Sequence, residues 1–192
     1  MLMEQVANRA RRQLLKGRFK AQVEKAPIRL PWTASEAIFT ATCTQCNKCV
    51  EHCETQVIKR DRKGFPYLDF NQAECTFCGE CERQCDQPLF TAQAHREANR
   101  PWSANIEINS TCLATNQIYC QSCRDVCDSR AISFQFITSA IPVPVINNDD
   151  CTLCGACIST CPQKAIAINH NTNSAGYSAS QFEELKHEPI QR

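Results

Sequence analysis

Cys151, Cys154, Cys157 and Cys161, the last followed by Pro162, stand in the pattern C-x2-C-x2-C-x3-C-P. Thiolates at every third position of a tight loop can reach three separated corners of one polynuclear centre, which is what a [4Fe–4S] cubane offers. A lone zinc ion needs four sulfurs converging on one point at about 2.3 Å, usually from two separate C-x2-C knuckles. The run recurs as Cys43, Cys46, Cys49 and Cys53, and again as Cys75, Cys78, Cys81 and Cys85. A stretched copy, with seven residues between its first two members, comprises Cys112, Cys120, Cys123 and Cys127. All 16 cysteines fall into these four sets, which predicts [4Fe–4S] clusters in the three regular runs and a fourth in the stretched one.

A disulfide scaffold would show scattered cysteine intervals, not local triplets with no thiol to spare. Thiols kept for metal imply a reducing compartment, so a cytoplasmic location is expected. No window approaches the roughly 18 consecutive apolar residues of a membrane span. Charge is unevenly placed: residues 1–26 carry seven Lys or Arg against two acids, and the remainder 14 against 18. Each all-thiolate cluster would add a charge of about −2 when oxidised, so a basic arm on an acidic body is the electrostatic picture. The arm lacks the interleaved aromatics of a nucleic-acid surface, and no nucleic-acid partner is expected. Neither G-x-G-x-x-G nor G-x4-G-K-[ST] is present, and no nucleophile–base pair stands out, so an enzyme is not predicted.

The elements that must hold these loops are short. Residues 1–30 form the arm, where good helix formers place Val6, Ala10, Leu14 and Leu15 on one side of a cationic helix. Within it Arg11-Arg12-Gln13-Leu14-Leu15 looks like a twin-arginine signal, but no apolar stretch or small-residue cleavage site follows, and export is not expected. The arm reads either as a solvated basic helix or as a docking arm. Pro27 to Trp32 is a proline-punctuated lead-in, with Trp32 as a core anchor or a partner contact, and Ala37–Thr42 is a short strand or turn. Val57–Arg60 and Phe65–Phe70, joined by Asp61-Arg-Lys-Gly64, predict a hairpin between the first two runs. Ala131–Phe136 and Pro142–Ile146 predict another between the last two, closed by Ala165–Ile168. With 21 residues between Cys53 and Cys75 and 23 between Cys127 and Cys151, the plan is an internal duplication.

The first module is expected over 31–100, with repeats at about 34–63 and 66–95, and the second over 101–169, with a degenerate repeat at about 108–137 and a regular one at 142–169. Ala92–Trp102 is the connector, and 170–192 is a polar tail in which Ser180–His187 could turn helically. The fold class is therefore α+β, tandem two-cluster modules of short hairpins and short helices. After the second cysteine of a run the chain turns tightly, which suits Asn47, Gly79 and Gly155, while Arg124 of the third run does not fit. The third site is thus read as a looser cluster or an empty one. Glu54, Asp86 and Asp128 replace proline after the other runs, and acidic neighbours lower a reduction potential. His52, beside Cys53, reads as an exposed structural residue, and His95, His170 and His187 suggest nothing further.

The runs resemble those of bacterial two-cluster ferredoxins, in which the fourth cysteine of each run ligates the other cluster. That resemblance implies Cys85 with Cys43, Cys46 and Cys49, and Cys53 with Cys75, Cys78 and Cys81. It likewise implies Cys127 with Cys151, Cys154 and Cys157, and Cys161 with Cys112, Cys120 and Cys123. Crossed ligands would staple distant segments, so each module should be largely unfolded without iron. The ordered set of Arg-rich arm, Leu30-Pro31-Trp32, two tight runs, a C-x7-C run and a final run ending in Pro162 resembles the NapF family of ferredoxin-type proteins. The resemblance covers roughly residues 9–168. It implies a cytoplasmic accessory protein of the periplasmic nitrate reductase system that meets the catalytic subunit before export and helps install or reduce that subunit's own cluster. The other reading is a polyferredoxin electron-transfer subunit of a membrane-associated oxidoreductase complex.

Overall fold

A computed structural model of the chain describes residues 27–92, 96, 99–137 and 140–170. The expected cationic helix and twin-arginine stretch, the tail with its helical turns, His95 and His187 lie outside the described residues, as does the side chain of His170.

The helices are too short to be stable alone, and each is fixed by what it packs on. Helix α1 spans Glu36–Thr42, where the sequence reading expected a short strand or turn. Ser35 is extended at its N-terminus, Glu36 sits in the first turn where it complements the helix dipole, and Phe39 is buried completely. Burial of Phe39 overrides the local preference of its β-branched neighbours. Helices α2 (Lys48–Glu51), α3 (Glu80–Arg83), α4 (Ser122–Asp125) and α5 (Ala156–Thr160) each carry the third cysteine of one run.

Strands β1 (Ile58–Arg60) and β2 (Pro66–Leu68) form the expected antiparallel hairpin, with Ile58 opposite Leu68. Asp61 closes its turn by accepting the N–H groups of Lys63 and Phe65 at 2.9 and 3.0 Å. Strand β3 (Ala104–Ile108) was not foreseen; it pairs with β6 (Ile166–His170), placing Ile106 opposite Ile168. Strands β4 (Ile132–Gln135) and β5 (Val143–Ile146) make the second expected hairpin. The 165–168 stretch does not close it as expected, since β6 pairs with β3 in a separate sheet. An isolated bridge between Thr33 and Phe90 stands where the β3–β6 ladder stands in the other half.

One continuous core joins the halves. Leu30, Val57, Leu68 and Phe70 of the first share it with Trp102, Ile106, Leu153 and Ile166 of the second. Trp102 is the pivot. Its indole N–H donates to the Arg29 carbonyl at 3.1 Å, its edge meets Phe70 at 6.0 Å, and Phe77 lies 5.9 Å away. Trp32 extends the group by tilting against Phe77 at 5.6 Å, so it packs inward from a half-buried position.

Arg29 anchors the lead-in, with its side chain only 8% exposed. It pairs with Glu36 at 2.6 Å and Asp61 at 2.9 Å and donates to the Pro66 carbonyl at 3.0 Å. The rings of Phe39 and Phe65 flank its guanidinium at 5.3 and 5.7 Å. Two carboxylates and a carbonyl thus satisfy a cation that would be costly to bury alone.

Candidate iron–sulfur sites

Around each regular run the backbone takes a costly path. Gln45 and Asn47 flank Cys46, Phe77 and Gly79 flank Cys78, and Leu153 and Gly155 flank Cys154, all six at positive φ. For residues with a Cβ such geometry costs about 1–3 kcal/mol each and persists only where the surroundings over-determine it. Turns of this kind direct successive N–H groups into a concavity that suits an anion. The third run departs from the pattern, and not at Arg124 as the sequence reading had it. Arg124 lies within α4, and the residue after the second cysteine is Gln121, with φ −133°. There the long insert does the turning: Asn116 donates to the carbonyls of Ser110 and Cys112 at 2.7 and 2.8 Å, and buried Ala114 anchors it.

The thiols gather as follows. Cys43, Cys46, Cys49 and Cys85 line one pocket with Leu30, Phe39 and Leu89. Cys112, Cys120, Cys123 and Cys161 line another with Leu113, Phe134 and Pro162. The Cys75 thiol feels the charges of Cys53 and Cys78, and Cys157 those of Cys151, Cys154 and Cys127. In these two pockets the fourth cysteine of one run lies with the first three of the other, and Cys53 and Cys127 are among the charged neighbours of Cys75 and Cys157, as Cys154 and Cys123 are. Among the described residues no group of three or more His, Cys, Asp or Glu side chains is placed to hold a single ion. Two of the four sets ring pockets, the arrangement a cubane's separated corners require.

Electrostatics fit a cationic core that displaces protons. Burial, and then the charge of neighbouring thiolates, pushes Cys49, Cys81 and Cys157 up to about 12. Burial likewise pushes Cys75 and Cys123 up to about 11. Thiols this reluctant to ionise alone couple metal binding to proton release. The sulfurs also have polar company: Thr55 Oγ1 lies 3.6 Å from Cys53 Sγ, Ser129 Oγ 3.5 Å from Cys127 Sγ, and the Ala165 N–H donates to Cys161 Sγ at 3.3 Å. Such contacts tune a cluster as much as its ligands do.

The acidic residue after the second run is offset, since Lys48 of α2 holds Asp86 at 2.5 Å. Arg100 donates to the carbonyls of Asn148, at 2.5 Å, and Cys151, bracing the loop of the fourth run. Burial raises the Cys151 thiol, and the Leu153 N–H and the Arg100 charge oppose that rise. His52 is exposed, with Nδ1 2.9 Å from the Lys48 carbonyl. The sequence reading missed Arg29, Arg100 and Trp102, whose partners are set only by the tertiary fold.

The 4Fe–4S dicluster domain family matches residues 42–87 and 118–165. The ferredoxin-type protein NapF of Escherichia coli strain K12 is 34% identical over 161 residues, covering 84% of this chain and 94% of that protein. NapF of Haemophilus influenzae is 38% identical over 172 residues, with 85% and 96% covered. The methylamine utilization ferredoxin-type protein MauM of Methylobacillus flagellatus is 26% identical over 180 residues, with 85% and 76% covered. Short helices and strands around clustered cysteines, a 4Fe–4S dicluster signature in each half and near full-length similarity to two NapF proteins converge: the chain belongs to the NapF family of ferredoxin-type iron–sulfur proteins.

Proposed function

We propose that this chain is a cytoplasmic maturation factor for the catalytic subunit of periplasmic nitrate reductase, acting on that subunit before export. Cys43, Cys46, Cys49 and Cys85 would hold one [4Fe–4S] cluster, and Cys75, Cys78, Cys81 and Cys53 a second. Cys151, Cys154, Cys157 and Cys127 would hold a third, and Cys112, Cys120, Cys123 and Cys161 a fourth. The modules are residues 31–100 and 101–169, following the arm at 1–30 and preceding the tail at 170–192. The observation that carries the reading is the four-set pattern with its stretched third run, on a chain that aligns over 94% of the length of the E. coli NapF protein at 34% identity.

Bound clusters supply one-electron redox chemistry and, where labile, iron and sulfide for another protein. This chain's own residues bring the thiols together, cover most of them in part while Cys46 and Cys78 stay exposed, and brace the loops. The arm, with seven cations against two acids, suits an acidic patch on an apoprotein. The partner is thus a protein, not a small-molecule substrate, and the role is not enzymatic.

A second reading, an electron-transfer subunit, draws support from the proximity of neighbouring cysteine sets: Cys81 feels the charge of Cys49, and Cys157 that of Cys123. One experiment separates the two. From cells lacking this protein, the exported nitrate reductase catalytic subunit is isolated, its iron counted and its activity assayed with an artificial electron donor. Maturation requires an iron-poor, inactive subunit. A fully loaded subunit, active with the artificial donor but starved of physiological electrons, would replace maturation by electron transfer.

A further inference from the structure

Cys75 and Cys154 belong to different halves of the chain, yet the Cys75 N–H donates to the Cys154 carbonyl at 2.8 Å. The bond is the centre of a packed seam. Phe70, just after β2, lies so close to Gly155 that a Cβ there would fall 2.6 Å from its Cγ and 2.7 Å from its Cε1. Trp102 holds Phe70 from the side, and Phe77, between Cys75 and Cys78, holds Trp102 in turn. Leu153, completely buried, closes the seam beside Cys154. The loops of the second and fourth runs thus meet backbone to backbone. Within the halves, α2 packs on α3 and α4 on α5, so the first run adjoins the second and the third adjoins the fourth.

We infer that the second and fourth cysteine sets hold an electronically and magnetically coupled pair of clusters, joined through the Cys75–Cys154 hydrogen bond, so that the four sites run in the spatial order first, second, fourth, third. The link runs from Cys75 Sγ through Cβ, Cα and the N–H, across the hydrogen bond to the Cys154 carbonyl, and out through Cα and Cβ to Cys154 Sγ. Phe70 and Gly155 are positioning residues for it. The ring can seat flush only against a residue without a side chain, and that seating sets the separation of the two loops. Spatial order therefore differs from chain order, and the duplicated halves meet through their second runs.

This rests on the assignment of the four sets as cluster sites, and the test keeps the two apart. A Cys46→Ala, Cys120→Ala variant removes ligands of the first and third sites and keeps the second and fourth (the second–fourth variant). A Cys78→Ala, Cys154→Ala variant removes ligands of the second and fourth, retains the peptide bond and keeps the first and third (the first–third variant). Iron and sulfide are counted in each, and each is reduced with dithionite for electron paramagnetic resonance. With two clusters' worth of iron, the second–fourth variant should show a split or broadened spectrum, and the first–third variant a simple superposition. Absent or incomplete iron and sulfide in the intact chain would defeat the cluster assignment itself. Full loading without splitting in the second–fourth variant, or equal splitting in the other, would overturn the coupling alone. Should either double variant fail to fold, Phe70→Ala in the otherwise intact chain decides: splitting should fall at unchanged iron content, and splitting identical to the parent overturns the inference.

Discussion

Replacing Gly155 by alanine should destabilise the protein far more than the same change at Gly79, although both glycines follow the second cysteine of a run with nearly equal φ, 86° and 76°. At Gly79 a Cβ would meet only Arg83 Nη1, the far end of a flexible side chain, at 3.5 Å. The cost there is left-handed backbone strain of about 1–2 kcal/mol, reduced by a few tenths to about 1 kcal/mol through the lower entropy of the unfolded chain. At Gly155 the same strain applies, and the new methyl also collides with the Phe70 ring. Overpacking in a filled core adds about 1–3 kcal/mol. Phe70 is buried and braced by Trp102, so it has little room to retreat. The difference between the variants is then about 2 kcal/mol, which corresponds to roughly 30-fold if the seam opens before the unfolding barrier. Cluster proteins lose their metal on unfolding, so the useful quantity is a rate. The anaerobic decay of cluster absorbance in denaturant gives it, and Phe70→Leu in the Gly155→Ala background should recover part of the loss. Equal decay rates for Gly79→Ala and Gly155→Ala would refute the packed seam.

Further perturbations follow from the same contacts. Arg29→Met strands Asp61 and the Pro66 carbonyl and should cost about 3 kcal/mol, whereas Glu36→Gln, at a carboxylate 52% exposed, should cost less than about 1 kcal/mol. Denaturant-induced cluster loss in both variants checks the ranking, and a larger loss for Glu36→Gln would reverse it. Burial pushes Asp61 up, but Arg29 and the N–H groups of Phe65 and Lys63 outweigh it and hold the carboxyl below its ordinary 3.8. A depressed acid contributes stability above its ordinary pKa and loses it as pH falls through the folded value. The melting-temperature gap between the parent and Asp61→Asn should therefore be full at neutral pH and close below about pH 4; a gap that widens on acidification would contradict the sign. Cys157→Ser, at a thiol only 6% exposed, should remove one cluster and lower the melting temperature, and unchanged iron and melting would defeat the crossed ligand sets.

Both hairpins were legible because alternating apolar residues bracket turn chemistry such as Asp61 to Gly64, and such signals are local. Helix α1 was misread since Thr and Ile argue for extended chain, while the burial of Phe39 against distant groups argues for helix. Strand β3 was passed over because Asn105 and Glu107 look like loop, yet the alternation of Ala104, Ile106 and Ile108 carried a period of two. Of the sites, the cysteine sets were visible as spacing. What spacing could not convey was the seam: neither Phe70 nor Gly155 has a neighbour in sequence that announces the other. Arg29 looked like one more cation in a basic stretch until Glu36 and Asp61 closed on it.

The seam also bears on why an irregular third run is tolerated. A metal-stapled module of this size has little apolar area of its own, and the loss of one staple would normally release it. Here the half that carries the stretched run shares its core with the other half through Trp102, Leu153 and Ile166. Its insert is held by its own hydrogen bonds to Ser110 and Cys112, independently of the thiols. At the end of that insert Ile118 and Tyr119 stay exposed, 53% and 67%, so the chain around Cys120 is anchored from one side only. Such a site can gain or lose its contents at smaller structural cost than the second or fourth, whose loops are bonded to each other. Titration of the intact protein with an iron chelator should therefore empty the third set first and leave the spectrum of the second and fourth until last. Simultaneous loss of all clusters would mean that the core, not the individual loop, sets the lability of each site.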